Sequence, residues 1–152
     1  MTDPPSHLTI READAGDAEA IAALIGELGF AMAAEQVTEK LALLRLAAQA
    51  PLASTDADKV IGCVTWHVTP VLHRPRPVGR ITMLVVTQGW RGRGAGRQLV
   101  GAVQERVEAL GCGLLEVTSN VGLVRAHRFY EQLGFERTSL RFARSLAKEW
   151  AI

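Results

Sequence analysis

The sequence predicts an α/β (α+β) fold in which one mixed, mostly antiparallel central sheet carries helices on both faces. Short runs of β-branched and apolar residues, bounded by glycine, proline or aspartate, indicate strands. Between them lie stretches with apolar residues at helical spacing. The predicted order is β-α-α-β-β-β-α-β-α-β, and hairpin strands followed by a β-α-β unit favour a mixed sheet. The 152 residues are expected to form one domain, residues 1–152, with residues 1–6 as a loose tail.

One strand and two helices open this order. Residues 8–11 are predicted to form the first strand, and Asp14, with Asp17 three residues later, is predicted to cap the first helix. Gly29 ends that helix. Its apolar stripe consists of Ile21, Leu24, Ile25 and Leu28. The second helix, at about residues 34–49, carries an apolar face made of Val37, Leu41, Leu44 and Ala48.

Three strands follow, and the last of them is the longest. Residues 52–55 and 59–68 are predicted to form a hairpin around the turn at residues 56–58. A basic, proline-rich loop at residues 71–77 leads into a strand at residues 78–87, which is rich in β-branched residues.

The C-terminal part alternates helices and strands. Helices are predicted at residues 95–110 and 122–133, and each is followed by a glycine that can end it. Residues 114–118 form a short apolar run that indicates a buried strand, and residues 135–146 are expected to be mostly extended.

The glycine-rich run at residues 91–96 lies between the long strand and the helix after it. Glycines let the backbone approach a ligand, and the N-terminus of a helix presents free N–H groups and a partial positive charge. Arg91, Arg93 and Arg97 add full charges. These features predict a binding site for a phosphorylated ligand, with a turn that binds nothing as the alternative.

Two common nucleotide motifs do not fit this run. A P-loop needs lysine and then serine or threonine after its last glycine, whereas this chain has Arg97 and Gln98. In the dinucleotide fingerprint, Arg97 stands where a third glycine should follow Gly92 and Gly94. The frame that starts at Gly94 ends on Leu99.

Composition excludes several classes of protein. The 17 Lys and Arg nearly balance the 16 Asp and Glu, which argues against a nucleic-acid partner. No segment is apolar enough to cross a membrane, and the N-terminus has no secretion signal, so we expect a cytoplasmic protein. Cys63 and Cys112 form no C-x-x-C pair, so we expect buried thiols and no metal site.

A second motif follows the short strand. Asn120 is followed by Ala126-x-x-Phe129-Tyr130-x-x-x-Gly134-Phe135, a stripe that by pattern alone indicates a core-facing helix with Tyr130 as a packing aromatic. The two motifs, in this order, resemble the GNAT superfamily of N-acyltransferases. The run from Arg91 to Gly96 is similar to its Gln/Arg-x-x-Gly-x-Gly/Ala signature, and the element order matches over about residues 8–146.

The resemblance implies acetyl-CoA as cofactor and a splayed pair of central strands that admits it. It implies that the pyrophosphate binds the backbone of Arg91, Gly92, Arg93, Gly94, Ala95, Gly96 and Arg97. It implies that the pantetheine arm runs along Leu84, Val85 and Val86. Asn120 matches a position that often bonds the cofactor, and Tyr130 matches the tyrosine that protonates the departing thiolate.

Acyl transfer to an amine sets chemical requirements for the remaining residues. A lysine-like amine has a pKa of ~10.4, so presenting it neutral at pH 7 costs about 4.6 kcal/mol. The backbone amide of Leu84 is expected to bind the thioester carbonyl oxygen. Some relatives carry a glutamate base early in the long strand, where this chain has Arg80. His67 is the first alternative base; the others are His73, Glu27 and Glu35.

The leading hypothesis is therefore acetyl-CoA-dependent N-acetylation of a primary amine of a small molecule. Acetylation of a peptide or protein amino group is the second. A non-catalytic module that senses acyl-CoA or binds a partner protein is the third. No nucleic acid or membrane partner is expected, and the basic loop and Trp150 keep a homodimer open.

Overall fold

The computed structural model describes residues 7–150, and the expected tail at residues 1–6 lies outside this range. Two compact units divide the chain, Met1–Val117 and Thr118–Ile152. The first unit holds five strands and three helices: β1 (Leu8–Glu12), α1 (Ala18–Glu27), α2 (Ala34–Leu46), β2 (Leu52–Asp56), β3 (Lys59–Thr69), β4 (Val78–Val86), α3 (Ala95–Ala109) and β5 (Leu114–Val117). The second unit holds α4 (Val124–Gln132).

The sheet has the predicted mixed character. Its strands follow the sequence order β1-β2-β3-β4-β5. The first three pairings are antiparallel, and only β4 and β5 run parallel. The connection between β4 and β5 is α3, as a parallel crossover requires. The α/β prediction is therefore confirmed.

The predicted capping pair caps a 3₁₀ turn, Ala15–Asp17, that leads into α1, whereas the N-cap of α1 itself, Asp17, makes no side-chain capping bond there. Asp14 accepts a hydrogen bond from the Gly16 N–H at 2.9 Å, and the Asp17 carboxylate accepts one from the Asp14 N–H at 2.9 Å. Arg11 on β1 donates to both carboxylate oxygens of Asp17, at 2.7 and 2.8 Å. These hydrogen bonds hold the pKa of Asp17 below its usual value. Asp17 thereby joins β1 to α1.

Helices cover both faces of the sheet in the first unit. Cys63 packs with α1 and α2 in one apolar cluster, while its neighbour Gly62 faces Leu99 of α3. Adjacent residues of a strand point to opposite faces, so α1 and α2 lie on one face and α3 on the other. We call these the α1 face and the α3 face.

The strand β4 is paired unequally on its two sides. All of β4, from Val78 to Val86, is in register with β3. Only its first four residues, Val78 to Ile81, are in register with β5, which ends at Val117. The pairing of β4 with β5 therefore ends at Ile81, where β5 itself ends, and the splay that the resemblance implies stays a prediction.

A β-bulge lies in β4 just after its pairing with β5 ends. Trp66 of β3 is opposite Ile81, and Thr65 is opposite Met83, so that Thr82 is the extra residue. Its hydroxyl oxygen lies 2.6 Å from that of Thr65 on the α1 face. A bulge of this kind redirects the side chains that follow it.

Three predicted elements differ from the structure. The strand predicted to be buried at residues 114–118 ends at Val117 and is only partly buried, with Leu114 exposed. The second helix ends at Leu46, and Ala48, with φ of 57°, is exposed rather than part of its apolar face. The expected extended segment at residues 135–146 contains no strand, so the described sheet has five strands instead of six. Strand formation depends on a pairing partner, which a local pattern does not specify.

The thiols are buried, as expected. Cys63 has no exposed surface, and burial raises its pKa to about 12. Cys112 is 9% exposed, and burial raises its pKa as well. Among residues 7–150, no cluster of His, Cys, Asp or Glu has metal-binding geometry. In the same range, no helix has the length and apolar character needed to span a membrane.

The close approach of α3 to β4 generates a testable prediction about stability. A Cβ at Gly79 would lie 2.8 Å from Cγ1 of Val107, inside van der Waals contact. We expect Gly79→Ala to lower the free energy of unfolding by about 1–3 kcal/mol, because β4 and α3 must move apart.

Gly101→Ala in α3 is the matched control, since nothing lies within 4 Å of its Cβ position. An alanine inside a helix is expected to raise the free energy of unfolding by about 0.5–1 kcal/mol. Urea denaturation of the three proteins measures both changes. Equal stability of Gly79→Ala and the original protein would contradict the close packing.

Candidate functional site

The glycine-rich run forms a tight left-handed turn between β4 and α3. A short 3₁₀ turn, Gln88–Trp90, follows β4, and α3 begins at Ala95. Gly92 has φ of 74° and Gly94 has φ of 91°, both in the region that favours glycine. The two glycines thus allow the chain to turn sharply and keep side chains away from the start of α3.

The start of α3 has the features of an anion site. Its N-cap is Gly94, which supplies no side-chain hydrogen bond, and the first helical bond runs from the Gln98 N–H to the Gly94 carbonyl at 3.1 Å. The N–H groups of Ala95, Gly96 and Arg97 therefore precede the first intrahelical bond. Such N–H groups suit a phosphate, and no side chain at the N-cap obstructs them. The residues present fit the pyrophosphate of coenzyme A.

The arginines of the turn are held in different ways. The Arg93 guanidinium lies 4.1 Å from the centroid of the Trp90 ring, a cation–π contact. Arg91 donates through Nε to the Val86 carbonyl oxygen at 2.9 Å. Arg97 is exposed on the first turn of α3. Arg91 and Arg93 are thus held by neighbouring residues of the chain, and Arg97 belongs to the first turn of α3 itself.

Glu27, the last residue of α1, contacts the segment that joins β4 to α3. Its carboxylate accepts hydrogen bonds from the Thr87 hydroxyl at 2.7 Å and the Gln88 N–H at 3.0 Å. It also lies 3.5 Å from the Arg91 guanidinium. The sequence suggested Glu27 only as one alternative base. Its contacts lie 60 to 64 residues away along the chain, so no local pattern could reveal them.

Leu84 directs its backbone polar groups away from β3. The Thr87 N–H bonds to the Ile61 carbonyl at 2.8 Å, and antiparallel rungs alternate between bonded and non-bonded pairs. Leu84 and Val86 therefore form non-hydrogen-bonded pairs with β3, so their N–H and C=O groups point away from it. On that outer side, the Val86 carbonyl oxygen accepts the hydrogen bond from Arg91. Val85 faces β3 with its polar groups. Of the three predicted pantetheine contacts, Leu84 and Val86 thus direct their N–H groups away from β3.

A row of polar side chains crosses the sheet near the other end of β4. His67 of β3 is opposite Arg80, and Arg80 is opposite Glu116 of β5. The His67 Nδ1 atom lies 3.1 Å from the Thr69 hydroxyl. Together with the loop after β3, this row lines a cavity of about 280 Å³, which we call the basic cavity. The sequence analysis considered His67 and Arg80 separately. The strand register places them opposite each other, with Glu116 next to Arg80.

The second unit contains the other two predicted residues. The Asn120 carboxamide oxygen accepts a hydrogen bond from the Gly122 N–H at 2.9 Å, which shapes the turn before α4. Tyr130 is half-buried on α4, with its ring edge-on to that of Phe135 at 5.7 Å. Burial raises the pKa of Tyr130 because it disfavours the phenolate. The phenol therefore keeps its proton at neutral pH.

The predicted residues thus fall into two groups. The first unit holds Leu84, Val85 and Val86 on β4, the turn at residues 91–97 beyond its end, and His67 in the basic cavity. The second unit holds Asn120 and Tyr130.

Comparison with known proteins identifies the family of this chain. The profile of the acetyltransferase (GNAT) family matches residues 22–135. An aminoalkylphosphonate N-acetyltransferase of Salmonella typhimurium is 33% identical over 88 residues, which cover 58% of this chain and 57% of that enzyme. An aminoglycoside N(6')-acetyltransferase type 1 of Stenotrophomonas maltophilia is 40% identical over 62 residues, 41% of this chain and 40% of that enzyme. The matches thus span little more than half, or less, of these relatives.

A solved structure shares the fold over nearly the whole chain. The aminoglycoside N-acetyltransferase AAC(6')-Iy, solved in complex with CoA, has a TM-score of 0.81 with 21% identity. The match covers 97% of this chain and 100% of that one. The family profile spans more than half of the sequence and includes both motifs. The chain therefore belongs to the acetyltransferase (GNAT) family.

Proposed function

We propose that this protein transfers an acetyl group from acetyl-CoA to a primary amine of a small molecule. The observation that carries the proposal is the left-handed glycine turn at the end of β4, which leads directly into the uncapped start of α3. The named relatives, which act on aminoalkylphosphonates and aminoglycosides by their descriptions, support a small-molecule acceptor.

The cofactor would be held along one continuous piece of the first unit. The N–H groups of Ala95, Gly96 and Arg97 would bind its pyrophosphate, with Arg93 nearby as a cation. The outward amide of Leu84 would hold the thioester end by donating a hydrogen bond to a carbonyl oxygen. When bound, acetyl-CoA supplies the activated acetyl group as a thioester.

Proton transfer is proposed for two side chains. Tyr130 would hold its proton on the phenolic oxygen and give it to the departing sulfur, a role supported by its raised pKa. His67 remains the proposed base, with its Nδ1 atom beside Thr69, so that Nε2 would accept the amine proton through intervening water. Arg80 occupies the opposite rung and is unsuited to this task.

We further propose that the two compact units act together as one acyl-CoA N-acyltransferase domain in the cytoplasm. The family profile supports this, because residues 22–135 cross the division at Val117. A homodimer stays a proposal of the same kind.

An assay of thiol release from acetyl-CoA tests the function directly. We expect release that depends on an added amine, together with micromolar binding of CoA measured by calorimetry. The amine panel should contain aminoalkylphosphonates, aminoglycosides, polyamines and amino acids. Absence of CoA binding at high micromolar concentration would refute the proposal.

The acid role of Tyr130 predicts a specific kinetic defect. We expect Tyr130→Phe to lower kcat by roughly 10²-fold, because the leaving thiolate loses its proton donor. CoA affinity, measured by calorimetry, should change far less. A kcat equal to that of the original protein would remove Tyr130 from the mechanism.

The contacts of Glu27 predict the opposite kinetic pattern. We expect Glu27→Gln to raise the KM for acetyl-CoA by about 10-fold, because hydrogen bonds to a charged acceptor hold the turn. The kcat should be nearly unchanged. Glu19→Gln, on the exposed first turn of the same helix, is the control and should alter neither constant. A fall in kcat without a change in KM would instead assign Glu27 to the chemical step.

A further inference from the structure

We infer that the basic cavity binds an acidic oxyanion group of the acceptor, so that the substrate is an amine that also carries a phosphonate, phosphate or carboxylate. The inference rests on the proposed function and names the substrate class of the same site. It is carried by the composition and position of a cavity that lies wholly within the first unit.

The donors of the basic cavity come from two strands and one loop. Thr69 ends β3, Arg80 lies on β4, and His73 and Arg74 belong to the loop between these strands. Imidazole and hydroxyl groups can donate hydrogen bonds, and guanidinium groups donate without accepting. A group with several acceptor lone pairs and a negative charge satisfies such a set. A second ammonium group would meet mainly donors.

The fixed charges also favour an anion. Two arginines, Arg74 and Arg80, face one carboxylate, Glu116, which leaves one net positive charge before either imidazole is protonated. Arg80 and His67 are half-buried, whereas Glu116 is exposed. Arg80 is therefore less well hydrated than the carboxylate, and its interaction with a ligand is screened less than that of the exposed Arg74.

Arg80 lines the basic cavity and also makes a contact within the protein. A guanidinium group has five N–H donors in a planar fork, which suits the paired oxygens of a phosphonate or carboxylate. The pairing of β4 with both β3 and β5 at this position fixes the backbone of Arg80.

The position of the cavity on β4 indicates the shape of the acceptor. Arg80 precedes Leu84 by four residues, which corresponds to about 13 Å along a strand. An acid group in the cavity would leave the rest of the acceptor to extend past Thr82 toward the outward amide of Leu84. We therefore expect several bonds between the acid group and the reacting amine.

Ligand binding without any cofactor tests the cavity independently of catalysis. We expect butylphosphonate to bind the protein in a phosphorus NMR titration, and Arg80→Gln to weaken that binding by about 10-fold or more. Arg76→Gln removes the same charge from the loop before β4 but changes the wall of a neighbouring cavity, so binding should persist. No binding by the original protein at about 10 mM ligand would overturn the inference.

Turnover of three matched amines tests the substrate class. Aminobutylphosphonate, aminobutanol and putrescine have equal chain length and carry an anionic, a neutral and a cationic second group. We expect kcat/KM to be about 10-fold or more higher for aminobutylphosphonate than for aminobutanol. Arg80→Gln should bring this ratio close to one, Arg80→Lys should restore part of it, and Arg76→Gln should retain it.

The outcomes separate the inference from the function on which it rests. Turnover of aminobutanol or putrescine as efficient as that of aminobutylphosphonate would overturn the inference and leave the acetyltransferase intact. Absence of both CoA binding and turnover would overturn the proposed function, while the butylphosphonate titration would still decide whether the cavity binds anions.

Discussion

The unequal pairing of β4 is the constraint on which the rest of the candidate site depends. Its neighbour β3 holds the whole strand, whereas β5 holds only the first four residues. The paired half is rigid and places Arg80 in a fixed row. The other half keeps an outer edge where the Leu84 amide needs a partner. One strand therefore provides both the fixed row of polar side chains and backbone groups that face away from β3.

Packing against β4 keeps this arrangement in place. Gly79 brings α3 close to the paired half, because any side chain there would meet Val107. At the other end, Glu27 joins α1 to the turn that opens α3. Helices on both faces are thus attached near the two ends of one strand. A site built between such attachments needs little ordering when a ligand binds, which reduces the entropic cost of binding.

Local features of this fold could be predicted from sequence, and distant ones could not. The Asp14 cap and the left-handed glycines at residues 92 and 94 depend on residues close in sequence, and both agree with the structure. The bulge at Thr82 and the contacts of Glu27 depend on which strands and helices meet. The segment at residues 135–146 was predicted to be extended from composition, but a strand also requires a partner with matching register. Sequence spacing alone therefore located the anion turn but not the cavity.

The burial of Cys63 has a consequence for the proposed reaction, in which a thioester is bound. A thiolate exchanges readily with a thioester or with an oxidised thiol, and only the ionised form is reactive. With a pKa of about 12, Cys63 is ionised in a fraction on the order of 10⁻⁵ of molecules at neutral pH. Its sulfur also has no exposed surface. Cys63 is thus protected from self-acylation and from mixed disulfides with free coenzyme A, although it lies on β3 directly opposite Val85 of β4.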